Sequence, residues 1–560
     1  MPRRIALVCL LTAVFAAPAH AAPPATLMPG VTYEKTVEFT PHGAVVLNVI
    51  TAPPPGGLYQ VGPALARSSI LGGKEKLTEI EKDVSATATV AGIDGDVFSP
   101  TDAHPSGLVM SGGVLQHPPF ASRSSIGFDA AGGLHVDRVR FQATWRGTGQ
   151  RRALAGLNQT AAGGQYALFT PAWGARVPTV ANSAEIVFQS YPAATPNTDL
   201  TATVSATSVG GGETVPPNGA VLQATGVAAA KLQAEAPVGA TITTRYILQP
   251  AWTGMVAGIG GGPALVKNGK PVFRALEDFT NDQIAGRLPR AGVGQLADGR
   301  VILVAIDGDQ PGYSVGLTNY ELAQTMVQLG AVTASALASG APVAAAFDGQ
   351  LLSHPSKGES AIKDALLVQY FGVYAAPPAL PLLTGEPNKA AEPLSYKIVR
   401  PSKVTAELIA PDTTTRVLES GVQHDPGSYP FTFASYDAEG TWHWNVTATD
   451  NQGLTSTIDR PFRYDTTLRD LAVPRTAKST LTVGFTLSRP ARVELRVETS
   501  TGVVVRDLAP VSLQAGTQSV GWDGKLPKGS PAFSGPYLAH LFYTSSVGTS
   551  DQTVSFIFRR

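Results

Sequence analysis

Glycine and proline interrupt this chain at short intervals, and this feature limits the possible folds more than any other. The 560 residues include 58 glycines and 44 prolines. Both residues disfavour helix interiors and are common in turns. Between them lie short apolar or alternating runs, such as residues 134–145 and 241–249. Because short runs bounded by turn residues indicate strands, we predict a strand-rich protein with few helices.

The N-terminus has the pattern of a secretory signal peptide. Two arginines precede an apolar segment, residues 5–17, and residues 19–21 (Ala-His-Ala) form a small-x-small cleavage signal. We therefore expect residues 1–21 to be removed and the mature protein to be secreted. The apolar segment is shorter than the roughly 18 residues that a membrane-spanning helix needs, so no membrane span is predicted.

Charge and cysteine content argue against several function classes. The chain has 42 basic and 42 acidic residues, and loss of Arg3 and Arg4 leaves a net charge of −2. This balance does not provide the basic surface that nucleic-acid binding requires. Cys9, the only cysteine, lies in the predicted signal peptide, and the histidines lack zinc-binding spacing. We predict no disulfide, metal ion or other cofactor in the mature protein.

A strand, a turn and a capped helix follow one another within residues 287–368. The run 300–306 is mostly apolar and ends at Asp307, as a buried strand does before a turn. Thr318 and Glu321 have capping-box spacing and predict the start of a helix. Gly330 is placed to end that helix.

Several sequence blocks, in this order, resemble the phosphodiester glycosidase family. They are Ala91-Gly92-Ile93-Asp94-Gly95-Asp96-Val97-Phe98, residues 259–269, residues 289–294, Asp298-Gly299-Arg300, and residues 307–323. The resemblance as a whole covers roughly residues 30 to 370. The resemblance implies a strand-rich α+β domain, residues 22–374, that acts on or binds sugar-1-phosphodiester glycans.

The resemblance assigns catalytic carboxylates to Asp94, Asp96 and Asp307. Cleavage of a sugar-phosphate ester needs a carboxylate that activates water or stabilises an oxocarbenium-like centre. It also needs groups that hold the anionic leaving group. Spacing alone favours an acidic turn at the end of a strand for Asp94 and Asp96, whereas the resemblance favours site carboxylates, and both interpretations stay open.

Three further residues are predicted to bind substrate, namely Arg290, Ser314 and Glu359. Arginine suits phosphate because its guanidinium binds two oxygens at once. Ser314 also lies in a Gly-x-Ser-x-Gly pattern, but the predicted strand ends near Ile306, several residues too early for a nucleophile elbow.

The chain departs from the family pattern in three loops. The family's Asn-Leu-Asp-Gly-Gly-Gly-Ser is replaced in this chain by Ala-Leu-Ala-Ser-Gly-Ala-Pro at residues 336–342. The family's Asp-Gly-Arg is replaced by Asp-Gly-Asp at residues 307–309. The family's Pro-Ser-Asp-Gly-x-Glu-Arg is replaced by Pro-Ser-Lys-Gly-Glu-Ser at residues 355–360. The degenerate positions are therefore Ala336, Ala338, Ser339, Asp309 and Ser360. An aspartate in place of arginine repels phosphate, so we predict an impaired or rebuilt site.

Three functions remain open from the sequence. The first is an active glycosidase in which Asp309 or Glu359 compensates for the missing aspartate. The second is a pseudoenzyme that binds a glycan, with a possible association with the cell wall. The third is a structural or adhesive surface protein.

The C-terminal third has a different pattern. The proline-rich residues 375–393 are predicted to be a linker, and short strands with regular turns follow. We predict two all-β Ig-like sandwiches, residues 394–464 and 465–560, of which the second resembles the Ig-like domain of flagellar hook-capping proteins. Trp442 and Trp444 share one strand face, and either core packing or stacking on sugars explains this pattern.

Overall fold

The computed structural model describes residues 24–98, 104–272, 276–378, 392–433, 438–499 and 503–560. The predicted signal peptide and most of the predicted linker lie outside these ranges. The chain forms two compact units, one of residues up to 56, 61–83 and 90–368, and one of residues 57–60, 84–89 and 369–560. Strands dominate both, which confirms the predicted strand-rich α+β part followed by all-β Ig-like domains.

The first unit is built around an eight-stranded sheet. Its strands lie in the order Ala25–Met28, Val31–Thr40, Gly43–Ala52, Val301–Ile306, Arg290–Leu296, Ala331–Ser339, Ala264–Lys267 and Lys270–Pro271. Every residue of Val301–Ile306 is buried, as its uninterrupted apolar sequence predicts. Leu322 and Met326 of the helix Asn319–Gln328 belong to the apolar core of this sheet.

The predicted capping box at the start of this helix is confirmed. Thr318 Oγ1 accepts a hydrogen bond from the Glu321 amide at 3.2 Å, and Glu321 Oε2 accepts one from the Thr318 amide at 2.8 Å. These bonds satisfy main-chain donors that the first helical turn leaves unpaired. Gly330, with φ of 92°, follows the helix in the left-handed conformation expected at its end.

Five smaller sheets complete the first unit. Two of them have the strand orders Leu134–Asp137, Ser125–Asp129, Met255–Gly260, Val109–Ser111, Val114–His117, and Arg152–Leu154, Arg140–Arg146, Thr241–Gln249, Asp199–Thr203. Two more have the orders Gly156–Leu157, Tyr166–Phe169, Ala220–Thr225, Ser183–Phe188, Ala206–Val209, and Gln350–Leu351, Ala345–Phe347, Thr89–Asp94, Asp364–Tyr370, Tyr59–Leu65. The fifth pairs Ala361–Ile362 with Glu75–Lys76. The remaining helices are Leu77–Ser85, Val227–Glu235, Asn281–Ala285 and the 3-10 turn Ala66–Ser68. The predicted run 134–145 is two strands, separated after Asp137.

The second unit consists of Ig-like sandwiches. The first pairs Glu392–Ile398 with Gly427–Phe433, beside a sheet in the order Thr415–His424, Ser402–Ile409, Gly440–Asp450, Thr455–Tyr464. The second has Leu468–Ala472, Leu481–Leu487, Gly516–Trp522 in one sheet, and Thr476–Lys478, Gly548–Arg559, Gly535–Ser545, Ala491–Thr499, Val504–Asp507 in the other, with Val511–Leu513 also on Ala491–Thr499.

Alternating burial defines the cores of these sandwiches. In Gly440–Asp450, exposed or half-buried residues alternate with buried ones, as expected for a strand with one face in the core. Trp442 is 4% exposed and Trp444 is fully buried. Both rings therefore pack inside the sandwich, which excludes the alternative that they stack on sugars. No helix in the described parts of the chain is long and apolar enough to cross a membrane.

Candidate functional site

A buried strand, Thr89–Asp94, delivers two of the predicted carboxylates. All six of its residues are buried, and its last residue leads directly into Gly95 and Asp96. Glycine is needed at two positions for close approach. A Cβ on Gly92 would lie 2.3 Å from the side chain of Leu367, and a Cβ on Gly95 would lie 2.0 Å from Asp364 Oδ1. The glycines therefore let the Asp364 carboxyl group reach the end of this strand.

Asp94, Asp96 and Asp364 form a cluster of buried carboxyl groups, which we call the acid cluster. Their exposed fractions are 0%, 5% and 1%. Asp364 Oδ1 accepts a hydrogen bond from the Asp96 amide at 2.8 Å, and Asp94 Oδ1 accepts one from the Ala344 amide at 3.2 Å. The Oδ2 atom of each aspartate is buried and has no hydrogen-bond partner among the described residues.

Arg123 supplies positive charge to the acid cluster. Its Nη1 atom lies 3.4 Å from Asp96 Oδ1, and both side chains are almost completely buried. The guanidinium carbon lies 5.3 Å from the ring centre of Phe120 and 5.4 Å from that of Phe279, so two aromatic rings lie within cation–π distance of it.

Two glycines lie close to the Oδ2 atom of Asp96. A Cβ on Gly107 would lie 2.4 Å from Asp96 Oδ2, and one on Gly260 would lie 2.0 Å from the same atom. No side chain larger than hydrogen fits there without displacing the carboxylate. The glycine-rich segment around residue 260 is thus required by its approach to Asp96.

Burial raises the pKa of all three acids, and Arg123 separates the protonation behaviour of Asp96 from that of the other two. Burial raises the pKa of Asp94 to about 8, and the charge of Asp364 adds to this effect. Burial, together with the charge of Asp96, also raises the pKa of Asp364 to about 8. Burial raises the pKa of Asp96 too, but Arg123 opposes the shift. At neutral pH the cluster therefore contains neutral acids next to an arginine-paired aspartate, a combination suited to acid–base chemistry at a glycosidic bond.

A cleft of about 480 Å³ opens beside the acid cluster. Its lining includes Val97, His117, Phe120, Arg123, Gln159 and Phe279. His117 Nδ1 lies 2.7 Å from the Gly107 carbonyl oxygen, which only accepts, so Nδ1 carries a proton. His117 Nε2 lies 2.9 Å from the Gln159 side-chain amide, which donates to it. Burial lowers the pKa of His117 to about 4, and the ring is neutral at physiological pH.

Asp307 has a separate set of partners. Its Oδ2 accepts a hydrogen bond from the Tyr313 hydroxyl at 3.1 Å, and its Oδ1 accepts one from the His354 amide at 3.1 Å. Burial raises the pKa of Tyr33 to about 12, with the charge of Asp307 contributing. These contacts pair Asp307 with the Tyr313 hydroxyl and the His354 main chain, whereas Asp94 and Asp96 are grouped with Asp364.

The three predicted substrate-binding residues all make internal contacts. The Arg290 nitrogens donate to the carbonyl oxygens of Leu317, Gln283 and Gly286, and its side chain is buried. Ser314 Oγ donates to the Asp307 carbonyl and accepts from the Val46 amide at 3.0 Å. The Glu359 carboxylate accepts from the Thr78 amide at 2.8 Å and the Thr78 hydroxyl at 2.9 Å, in the first turn of the helix Leu77–Ser85. Their predicted role in substrate binding stays a prediction.

One degenerate position adjoins the acid cluster. The Ala338 amide donates to the Gly95 carbonyl at 2.9 Å, between Asp94 and Asp96. Ala336 exchanges main-chain hydrogen bonds with the Gly262–Pro263 turn. The remaining degenerate residues are Ser339, which pairs with Arg290 across neighbouring strands, Asp309, which is exposed with φ of 56°, and Ser360, which is half-buried.

Arg123, Asp364 and His117 are site residues that sequence reasoning missed. Each comes from a segment far from the Asp94–Asp96 turn, so no local spacing connects them. The sequence contains only weak indications that Asp364 and Arg123 belong to the site. Asp364 is a charged residue at the start of the apolar run 365–368, and Arg123 follows two prolines at 118–119.

The comparison with protein families decides what kind of domain this is. The model described as phosphodiester glycosidase matches residues 193–369. Residues 193–369 match the phosphodiester glycosidase domain. Asp364 and Phe279 lie within the matched segment of this glycosidase domain, while Asp94, Asp96 and Arg123 precede it. A second model, described as the FlgD Ig-like domain, matches residues 471–546, in the last sandwich.

Solved structures and one curated protein are also similar to the chain. A hypothetical protein from Synechocystis is 25% identical, with a TM-score of 0.50 over 63% of this chain and 64% of that one. The catalytic domain of zebrafish N-acetylglucosamine-1-phosphodiester alpha-N-acetylglucosaminidase is 13% identical, with a TM-score of 0.34 over 63% of this chain and 86% of that one. The prophage-derived protein YomE of Bacillus subtilis is 30% identical over 107 residues, which are 19% of this chain and 16% of YomE. The chain thus spans less than two thirds of YomE and of the Synechocystis protein.

Proposed function

We propose that the glycosidase domain binds sugar-1-phosphodiester glycans in the cleft beside Asp96 and Arg123, and that its hydrolytic activity is impaired. The cleft is large enough for a sugar with a phosphate group, since sites for small molecules begin at about 300 Å³. Arg123 offers a cation to the phosphodiester, and the exposed face of Phe120 offers an apolar surface to the sugar ring. Phe120 is 43% exposed.

The observation that carries this proposal is the position of Ala338. Its amide is bonded to the Gly95 carbonyl, so this residue lies beside the turn that carries Asp94 and Asp96. The resemblance places a carboxylate at this position, and this chain has a methyl group there. A nucleophile or base that the family pattern supplies is therefore missing next to an otherwise assembled acid cluster.

Secretion and a glycan partner belong to the same proposal. The signal-peptide pattern at residues 1–21 supports export, and a sugar-1-phosphodiester of the cell wall is a substrate class that an exported protein meets. The Ig-like domains of the second unit are consistent with a surface location, since such modules are common in extracellular proteins.

A working hydrolase is the second candidate, and the acid cluster favours it. The pKa of Asp364 is raised to about 8 mainly by burial, which is the protonation behaviour of a general acid at neutral pH. In this alternative, Asp96 acts as the carboxylate that activates water or stabilises the sugar cation, and Asp364 protonates the leaving oxygen.

The experiment measures sugar release and binding with a panel of sugar-1-phosphodiesters. We expect the natural protein to bind at least one member and to release sugar slowly or not at all. Ala338→Asp should raise release at least about tenfold if the missing carboxylate limits the reaction, whereas the uncharged, similarly shaped Ala338→Asn should not. Rapid release by the natural protein that Asp96→Asn abolishes would instead establish the hydrolase.

A further inference from the structure

The side chain of Glu277 joins the segments that build the cleft. It is 4% exposed. Its Oε2 accepts a hydrogen bond from the Ser124 amide at 2.7 Å, and its Oε1 accepts bonds from the Ser124 hydroxyl at 2.9 Å and the Ala264 amide at 3.2 Å. One buried carboxylate thus binds the residue that follows Arg123 and a strand of the eight-stranded sheet.

The residues beside Glu277 contact the same loop as Glu277 does. The Asp278 amide donates to the Ser122 carbonyl at 3.2 Å. The Arg123 guanidinium lies 5.4 Å from the ring centre of Phe279 and 5.3 Å from that of Phe120. The position of Arg123 against Asp96 therefore depends on how segment 277–279 is held against residues 122–124.

A glycine with an unusual conformation provides the space for this carboxylate. Gly262 has φ of 109°, which L side chains rarely adopt. A Cβ there would lie 2.5 Å from Glu277 Oε2 and 3.3 Å from the Phe279 ring. The Gly262 amide donates to the Ala336 carbonyl at 2.8 Å. The glycine-rich turn thus contacts both Glu277 and the degenerate strand end.

We propose that Glu277 is a positioning residue that fixes the Arg123 guanidinium near Phe120 and Phe279 for recognition of the phosphodiester anion. Glu277 acts through Arg123 and Phe279 and does not itself line the cleft. This inference rests on the proposed function for its ligand, but its structural part is testable without any ligand. Fixing a charged group through a buried hydrogen-bonded neighbour lowers the cost of ordering it when the ligand binds.

The binding test compares a charged and an uncharged ligand by titration calorimetry or NMR. The ligands are the best-bound sugar-1-phosphodiester and the methyl glycoside of the same sugar. Glu277→Ala should weaken phosphodiester binding about tenfold or more and glycoside binding less than about twofold, because only the anion requires Arg123. Glu277→Gln, which keeps one acceptor for Ser124, should recover most of the affinity. Equal weakening of both ligands would mean a general packing role and would overturn the inference.

Glu185→Ala is the matched control. Glu185 is also buried and also accepts hydrogen bonds from neutral groups, from Ser183 at 2.6 Å and Gln223 at 3.1 Å. It lies in the sheet that contains Ser183–Phe188. We expect Glu185→Ala to leave the affinity ratio of the two ligands unchanged. A similar change of the ratio in both variants would contradict a specific role for Glu277.

A labelling experiment separates failure of this inference from failure of the proposed function. Phenylglyoxal modifies accessible arginines, and peptide mass spectrometry measures the labelled fraction of Arg123 and Arg290 in one sample. Both side chains are nearly buried in the natural protein. Glu277→Gln should raise labelling of Arg123 modestly and Glu277→Ala more strongly, with Arg290 unchanged. Unchanged labelling of Arg123 overturns the inference. Increased labelling in a protein that binds no phosphodiester supports the positioning role and rejects the proposed function.

Discussion

Replacing Asp364 with asparagine should make the glycosidase domain less sensitive to rising pH. Asparagine keeps the oxygen that accepts the hydrogen bond from the Asp96 amide, but it does not ionise. The pKa of Asp364 is raised from 3.8 to about 8, first by burial and then by the charge of Asp96. Between these two values the unfolded chain has lost the proton and the folded protein retains it.

The sign and size of the effect follow from proton linkage. The folded state binds one more proton than the unfolded chain between these two pKa values. The protein is therefore most stable below the unfolded pKa, and its free energy of unfolding falls as the pH rises towards the folded pKa. One such group changes the free energy of unfolding by about 1.4 kcal/mol per pH unit. From pH 5 to pH 7, Asp364 should therefore cost the natural protein about 3 kcal/mol, a cost that Asp364→Asn avoids.

Urea unfolding at pH 5, 6 and 7, followed by tryptophan fluorescence, measures this difference. The Ig-like domains are the same in both proteins, so the difference between natural protein and variant reports on the changed group. Asp199→Asn is the control, because Asp199 is half-exposed and pairs with Arg245 at the surface. If Asp364→Asn retained the full pH slope of the natural protein, the neutral, buried state of this carboxyl group would be refuted.

Three further predictions concern the site, the helix cap and the sandwich core. Gly260→Ala should cost about 3 kcal/mol of stability, since its Cβ would lie 2.0 Å from Asp96 Oδ2. Gly163→Ala, which meets nothing within 4 Å, should change stability by less than about 1 kcal/mol in the same denaturation assay. Thr318→Ala should cost about 1 kcal/mol through loss of the helix cap, and an unchanged midpoint would argue against the capping box. Trp444→Ala should lower the stability of its sandwich by about 3–5 kcal/mol in calorimetry. It should leave sugar binding unchanged. Loss of sugar binding in a folded variant would contradict the assignment of Trp444 to the core.

Local features of the sequence predicted the elements of the fold that local forces determine. The capping box at Thr318 and Glu321 predicted a helix start because both partners lie within four residues. The buried strand before Asp307 was predictable because an uninterrupted apolar run between turn residues has few other structural interpretations. Short strands with regular turns likewise predicted the Ig-like sandwiches.

The candidate site was predictable only in part, because its contacts join distant segments. Asp94 and Asp96 were proposed from a block of adjacent residues, but Asp364 reaches them through sheet pairing and Arg123 through a loop. No spacing rule encodes such contacts. Arg290 illustrates the opposite problem: an arginine in a matching block suggests phosphate binding, yet its nitrogens donate to main-chain carbonyls. Packing, and not the local sequence, decides how many hydrogen-bond donors of a side chain stay available for a ligand.

Titration calorimetry of a sugar-1-phosphodiester with the natural protein, Arg123→Met and Arg245→Met tests the central claim most directly. Methionine keeps much of the apolar volume of arginine but removes its charge. Arg245 is a half-exposed arginine on another sheet and serves as the control. We predict that Arg123→Met weakens binding at least about tenfold, the loss expected for one charged hydrogen bond, and that Arg245→Met does not. Equal affinity of Arg123→Met and the natural protein would show that the phosphodiester does not bind beside Asp96 and Arg123.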